Sequence, residues 1–293
     1  MTKLTRNLVL MCVGADVLWL QNKLKSLKYY NGALDSNFGQ GLFRAVVDFQ
    51  NEHDLLADGV VGPKTFDVLS KTYPHSDLEI IDNFLDGDEY YPAEHDKKLI
   101  WLHHTAGGSR PDWTIHGWNT DSQDKVGTAY VIGRRSSSST DSSWDGKILR
   151  AFDDKHWAYH LGISHNSKSL NCQSVGIEIC NYGFLKLKNG IYYNYVNKPV
   201  NPSEVVALPV PFRGYTHYEK YTDNQLESTR KLILMLADKH EIKIEKGIYN
   251  PDWFEYDSKW FNLTEGLRSH TQVRKDKYDI FPQPEMIQML NSL

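Results

Sequence analysis

The sequence predicts an α/β domain, a central mixed sheet covered by helices, preceded by a small all-α unit of three helices. Three observations carry this. Before residue 71, apolar residues recur at helical spacing in two successive stretches, each followed by a turn. After residue 97, apolar runs of strand length alternate with helical patterns. The 293 residues, 40% apolar and 12% aromatic, suffice for one large or two ordinary cores. The expected boundaries are 1–73 for the helical unit, 74–96 for a linker and 97–293 for the α/β domain.

In the helical unit, Gly14 precedes Val17, Leu18, Leu20, Gln21, Leu24 and Leu27 at helical spacing. Asp35-Ser36-Asn37-Phe38-Gly39 is turn-prone. The plan then repeats. Phe43, Val46, Val47, Phe49 and Gln50 make a second amphipathic stretch, followed by the turn Asp58-Gly59-Val60-Val61-Gly62-Pro63. Pro63 suits a helix start, where its missing N–H costs nothing, and that helix is expected to end near Leu69. Residues 72–96, rich in Asp, Glu and Tyr, read as a linker with at most a short turn of structure.

In the second domain the expected strands are Leu99–His103, Thr128–Gly133, Ile148–Phe152 and Ser174–Ile179. Ser136 to Ser143 is a loop by composition. Asn189-Gly190 predicts a tight hairpin turn within 185–193. Thr222-Asp223-Asn224-Gln225 has the form of a capping box opening a helix to about His240, with Leu226, Ile233, Leu236 and Ala237 on one face. Residues 246–268 carry no assignable pattern.

A net charge of −4 argues against a nucleic-acid binder. The three cysteines, Cys12, Cys172 and Cys180, show neither a disulfide framework nor thiolate zinc spacing. Leu8 to Val13 is too short for a signal-peptide core, and no run approaches a membrane span. The expectation is synthesis in the cytoplasm without a signal peptide, no membrane insertion, and a monomer.

The candidate chemistry begins at His103, where the apolar run Leu99-Ile100-Trp101-Leu102 breaks into His104-Thr105-Ala106-Gly107-Gly108. Strand residues alternate in direction, so only one of His103 and His104 can face a given site. Far downstream, His270 opens a polar loop that carries Asp276, Lys277 and Asp279, and spacing alone does not separate the two acids. Glu178 is the one acid in the strand Val175-Gly176-Ile177-Glu178-Ile179. Two imidazoles, a carboxylate and a separate Glu are the parts of a hydrolytic zinc site. The ordinary reading of each alone is different: a hydrogen-bonded histidine, an outward strand acid, a solvated loop lysine.

Taken together and in order, these segments resemble the zinc-dependent N-acetylmuramoyl-L-alanine amidases of phage endolysins, bacterial cell-wall enzymes and peptidoglycan recognition proteins. The anchors are His-His-Thr-Ala-Gly at 103–107, Gly-Thr-Ala-Tyr-Val-Ile at 127–132, Trp157-Ala158-Tyr159-His160-Leu161-Gly162, Ser-Val-Gly-Ile-Glu at 174–178, and His270 through Asp279. The helical unit is similar to the three-helix peptidoglycan-binding domain in its Leu20-Gln21 and Phe49-Gln50 pairs and its two turns.

The resemblance implies that His103, His270 and Asp279 bind Zn2+, that Glu178 is the acid/base, and that Lys277 assists. It places Trp157, His160 and Thr105 near the substrate. There are departures. Thr128 stands where some members carry a catalytic Tyr, and Asp279-Ile280-Phe281-Pro282 replaces Asp-Pro-Gly, which keeps Asp276 open as third ligand. Residues 182–221 exceed a minimal member and are available to extend the groove or dock on the wall. The implied partner is peptidoglycan, and the implied activity is cleavage of the lactyl–L-alanine amide by an endolysin acting on the wall after release. The alternatives are a non-catalytic peptidoglycan recognition or anchoring protein, and a zinc peptidase cutting within the stem peptide.

Overall fold

The computed structural model describes residues 4–71, 78–122, 125–262 and 264–293. The chain divides into two compact units, Met1–Asp77 and Leu78–Leu293. The boundary expected at 73/74, and residues 74–77 of the expected linker, lie outside the described residues.

The first unit contains α1 (Ala15–Ser26), α2 (Gln40–Glu52) and α3 (Pro63–Lys71) around Leu8, Val17, Leu20, Leu24, Phe38, Val46, Phe49 and Val61. The repeated plan has a physical basis. Gln21 on α1 donates to Asp35 Oδ1 (2.7 Å) and Asn37 O (3.0 Å) and accepts from Ser36 N–H (2.9 Å). Gln50 on α2 does the same to the second turn, donating to Asp58 Oδ1 and Val60 O (3.0 Å each) and accepting from Gly59 N–H (2.8 Å). Both glutamines are fully buried, so each amide needs those partners. Each turn places its second residue in the left-handed region, Ser36 at φ 64° and Gly59 at φ 69°.

In the second unit, the described residues form a six-stranded sheet. Its strands are β1 (Ile80–Asp82), β2 (Leu99–His104), β3 (Tyr130–Ile132), β4 (Ile148–Arg150), β5 (Ser174–Ile179) and β11 (Gly266–Ser269), in spatial order β1-β4-β3-β5-β2-β11. Only the β3–β4 pair is antiparallel. The helices are α4 (Pro111–Thr120), α5 (Ser167–Cys172), α6 (Asp223–Lys239) and α7 (Pro284–Asn291). Ile100 and Leu102 of β2 join the main core with Leu232, Ile233 and Leu236 of α6 and Met286 and Leu290 of α7. The alternate residues Leu99 and Trp101 pack with Leu161, Leu170 and Val273. A strand whose two faces are both covered reads as a continuous apolar run, as β2 does.

The expected Asn-Gly hairpin is present as β6 (Lys186–Lys188) and β7 (Ile191–Tyr193), joined by Asn189 (φ 50°) and Gly190 (φ 78°) and extended by β8 (Pro199–Val200). β9 (Val205–Phe212) and β10 (Tyr215–Glu219) form a second hairpin. Thr222 and Gln225 make the capping box that opens α6.

One expectation is corrected and one gap is filled. Part of the expected linker is structural: β1 pairs in parallel with β4, and Arg150 clasps Asp82 with two bonds of 2.8 and 2.9 Å. Three residues are too few to show a period, so this edge strand is defined by its partner. The unassigned stretch 246–268 ends in β11, which lies beside β2.

Candidate active site

Parallel pairing assembles the site. Ser269, the last residue of β11, is opposite Leu102 of β2, so His270 emerges beside His103 with ring centroids 4.5 Å apart. On the other side of β2, His103 is in register with Glu178 of β5. The loop after His270 is closed by Thr271 N–H donating to Asp279 O at 3.0 Å, which returns Asp279 to the strand end. Among the described residues, His103, His270 and Asp279 are a buried group whose ligand-capable atoms lie within 4.8 Å of one another.

The two acids of the loop separate cleanly. Asp279 Oδ2 lies 2.8 Å from His270 Nδ1 and 3.4 Å from His103 Nδ1. Asp276 is exposed and gripped by Arg274 through two bonds of 2.8 and 2.6 Å, which hold its carboxyl down at about 2. It stands outside the group. His104 is directed elsewhere, its Nδ1 2.9 Å from the Tyr221 hydroxyl.

The outward nitrogens of both rings are held by a hydrogen-bond chain that ends on backbone carbonyls. His270 Nε2–H donates to Leu161 O at 2.9 Å. Ser174 Oγ donates to Asn171 O (3.2 Å), so it accepts from His160 Nε2–H (2.8 Å). His160 Nδ1 is then left to accept from His103 Nε2–H at 2.9 Å. Carbonyls can only accept, so Nε2 is the protonated nitrogen on both rings, and in the neutral forms of His103 and His270 it is Nδ1, beside Asp279, that is free to bind a metal. Neutral imidazoles with an anchored second nitrogen, beside a carboxylate, form a donor set suited to zinc. The tautomers expected of ligands are imposed by the protein itself.

Electrostatics agree with this arrangement. Burial, reinforced by the neighbouring His270, pushes His103 down to about 4, so it is neutral at pH 7. Burial opposes the charged form of Asp279, yet the neighbouring His270 and, after it, His103 hold its carboxyl well below the usual range. Burial, with the charge of Asp279 adding to it, raises Glu178 well above the ordinary carboxyl range, while Lys277 works the other way.

The remaining expected residues divide. His160 is in the cluster, but as the partner of His103. Thr105 is half-buried, its Oγ1 accepting from Gly107 N–H (3.1 Å) and Asn181 N–H (3.2 Å), which ties the loop after β2 to the segment after β5. Trp157 is only 4% exposed; it stacks on Tyr91 at 4.1 Å and meets Tyr159 edge-on, in a packing cluster closed from the segment read as linker. Thr128 is buried, its hydroxyl donating to Tyr130 O at 3.0 Å. Sequence reasoning missed Asn171 and Ser174. Their signal, a polar residue and a hydroxyl three apart leading into the first residue of β5, looks like an ordinary turn.

Comparison with known proteins follows the same division. A peptidoglycan-binding-domain model matches residues 13–69, and the N-acetylmuramoyl-L-alanine amidase model matches residues 93–280. A spore cortex-lytic enzyme of Oceanobacillus iheyensis is 34% identical over 115 residues, covering 39% of this chain and 34% of that protein. The N-acetylmuramoyl-L-alanine amidase CwlM of Mycobacterium tuberculosis is 42% identical over 52 residues, covering 18% of this chain and 13% of its own length. The chain thus spans about a third or less of these curated relatives. Among solved structures, the catalytic domain of XlyA is 14% identical, with 73% of this chain and 98% of that chain covered at a TM-score of 0.40. With most of its length matched by that one model, the chain belongs to the N-acetylmuramoyl-L-alanine amidase family.

Proposed function

We propose that the protein hydrolyses the amide between the lactyl group of N-acetylmuramic acid and the L-alanine of the stem peptide, in peptidoglycan held by its helical unit. The observation that carries this reading is the convergence of His103, His270 and Asp279 beside Glu178 in a chain of this family. His103 Nδ1, His270 Nδ1 and an Asp279 oxygen would hold the ion. When bound, zinc supplies Lewis acidity to water and to the scissile carbonyl.

The chain's own groups handle the protons and charge. The Glu178 carboxylate takes a proton from the attacking water and delivers it to the departing nitrogen. The carbon–nitrogen bond breaks, leaving a lactyl carboxylate and the free amine of L-alanine. Lys277, half-buried at the rim and close enough for its charge to act on Glu178, favours the oxyanion that develops at the carbonyl. A wall-binding unit on the same chain raises the enzyme's local concentration at an insoluble substrate.

Release of dye from labelled sacculi should occur and should stop on chelation. Mass analysis of the fragments should show free L-alanine amines and intact glycan. Binding without release would leave a recognition protein, and an intact lactyl–alanine amide with cut stems would indicate a peptidase. Within this reading the fused wall-binding unit favours an endolysin, whose purified form lyses cells from outside. Activity confined to spore cortex would indicate the cortex-lytic group instead.

A further inference from the structure

A second cleft, of about 580 Å3, opens across the loop that leaves β2, and none of His103, Glu178, His270 or Asp279 lines it. Its size is ordinary for a small-ligand site. Five separated segments build it: the loop 105–110, α4, the serine-rich loop at 136–138, Tyr182, and the 194–199 turn of the long insertion. Tyr195 of that turn donates its hydroxyl to Ala106 O at 2.5 Å, so the insertion is fastened to the β2 loop as one wall.

The lining has a specific chemistry. Trp113 of α4 is 67% exposed, an unusual position for a large flat side chain. One turn along the same helix is Gly117, where an added Cβ would meet nothing within 4 Å. A glycine inside a helix costs stability, and here it keeps the floor beside the indole open. Arg110 is already committed: it is paired with Asp112 by two bonds and lies 4.8 Å from the centre of the Trp113 ring. Lys198 and Asp121 offset one another formally. What is left to a ligand is an aromatic face among hydroxyl and amide groups with no net charge. That combination recognises the C–H face and the hydroxyls of a neutral sugar.

We propose that this cleft is a saccharide subsite, separate from the reacting centre, that holds a stretch of the glycan strand. Its identification with peptidoglycan glycan rests on the amidase reading; the saccharide chemistry does not.

The probe is the β-1,4-linked tetramer of N-acetylglucosamine, titrated into the full-length chain while the Trp113 indole N–H resonance is followed, with Trp113→Phe identifying the peak. A saturable shift is expected. Trp113→Ala should raise KM for sacculi at least tenfold and leave kcat on a small muramyl peptide unchanged. Gly117→Leu, which fills the floor but improves the helix, should abolish the shift without lowering the melting temperature. The proposal is overturned if the tetramer never moves the Trp113 resonance, or if both variants process sacculi as the parent does. If the small muramyl peptide is not cleaved while the Trp113 shift persists, the amidase reading falls and the subsite stands.

Discussion

Asn171 Oδ1 accepts the backbone N–H of His160 at 2.8 Å, and the same oxygen accepts Leu161 N–H at 3.2 Å. Those two residues orient both candidate metal-binding histidines, one through an imidazole and the other through a carbonyl. Asn171 is fully buried and is itself held by Ser167 O at 2.7 Å. Replacing it by Ala should therefore loosen both rings at once. Loss of an outer partner commonly weakens metal binding by about 10- to 100-fold. Chelator competition on Asn171→Ala should read a loss in that range, with the circular dichroism spectrum kept. Asn171→Asp, which keeps the accepting oxygen, should recover part of it. Parental zinc affinity in the Ala variant would show that the clamp is dispensable.

Glu178→Gln keeps shape and hydrogen-bonding capacity but cannot carry a proton between water and amine. Turnover on sacculi should fall by about 10²–10⁴-fold. Zinc content and sacculus binding should stay at parental levels. A variant that cleaves normally would place the base elsewhere.

The paired turns of the helical unit make opposite predictions at equivalent positions. Ser36 sits at φ 64°, a conformation that costs a non-glycine residue roughly 1–2 kcal/mol. Ser36→Gly should offset part of that and raise the urea midpoint. Gly59→Ala should lose at least about 2 kcal/mol, since to the same strain it adds a Cβ running into the Phe43 ring. Equal midpoints for the two variants would mean that the turns are not equivalent.

Lys97 supplies a pH signature away from the site. Burial lowers it to about 8, with its ammonium donating to His156 O (2.7 Å) and Cys172 O (2.8 Å). The unfolded lysine titrates near 10.4, so between about 8 and 10.4 the unfolded chain binds more protons and stability gains with rising pH. Below pH 8 both states are charged and the contribution is flat. In denaturant titrations the parent should gain on Lys97→Met as pH rises from 8 to 10. A constant difference across that range would refute the shift.

What the sequence discloses follows the range of the interactions. The capping box at Thr222, the Asn-Gly hairpin and the apolar run before His103 are local, and each is read from adjacent residues. The two glutamine clamps are legible as a repeated Gln-and-turn pattern, although their bonds are not. His270 and Asp279 depend on β11 lying beside β2 and could be singled out only by resemblance, with Asp276 still open. The loop's closing bond from Thr271 to Asp279 decides between the acids, and no spacing encodes it. Trp157 is ambiguous for a similar reason: an aromatic beside His160 fits a groove or a packed cluster equally well, and its stacking partner Tyr91 lies some 66 residues earlier in the chain. The sugar-binding candidate around Trp113 joins five segments and has no linear signature.

The pairing of β2 with β5 has one consequence for how such a chain can diverge. His103 and Glu178 share a rung, so lengthening or shortening either strand by a single residue would turn one of them to the opposite side of the sheet. Evolution can therefore trade side chains along these strands but not change their length. Length variation among descendants should accumulate in the hairpins between 182 and 221, where an added codon leaves the rung untouched.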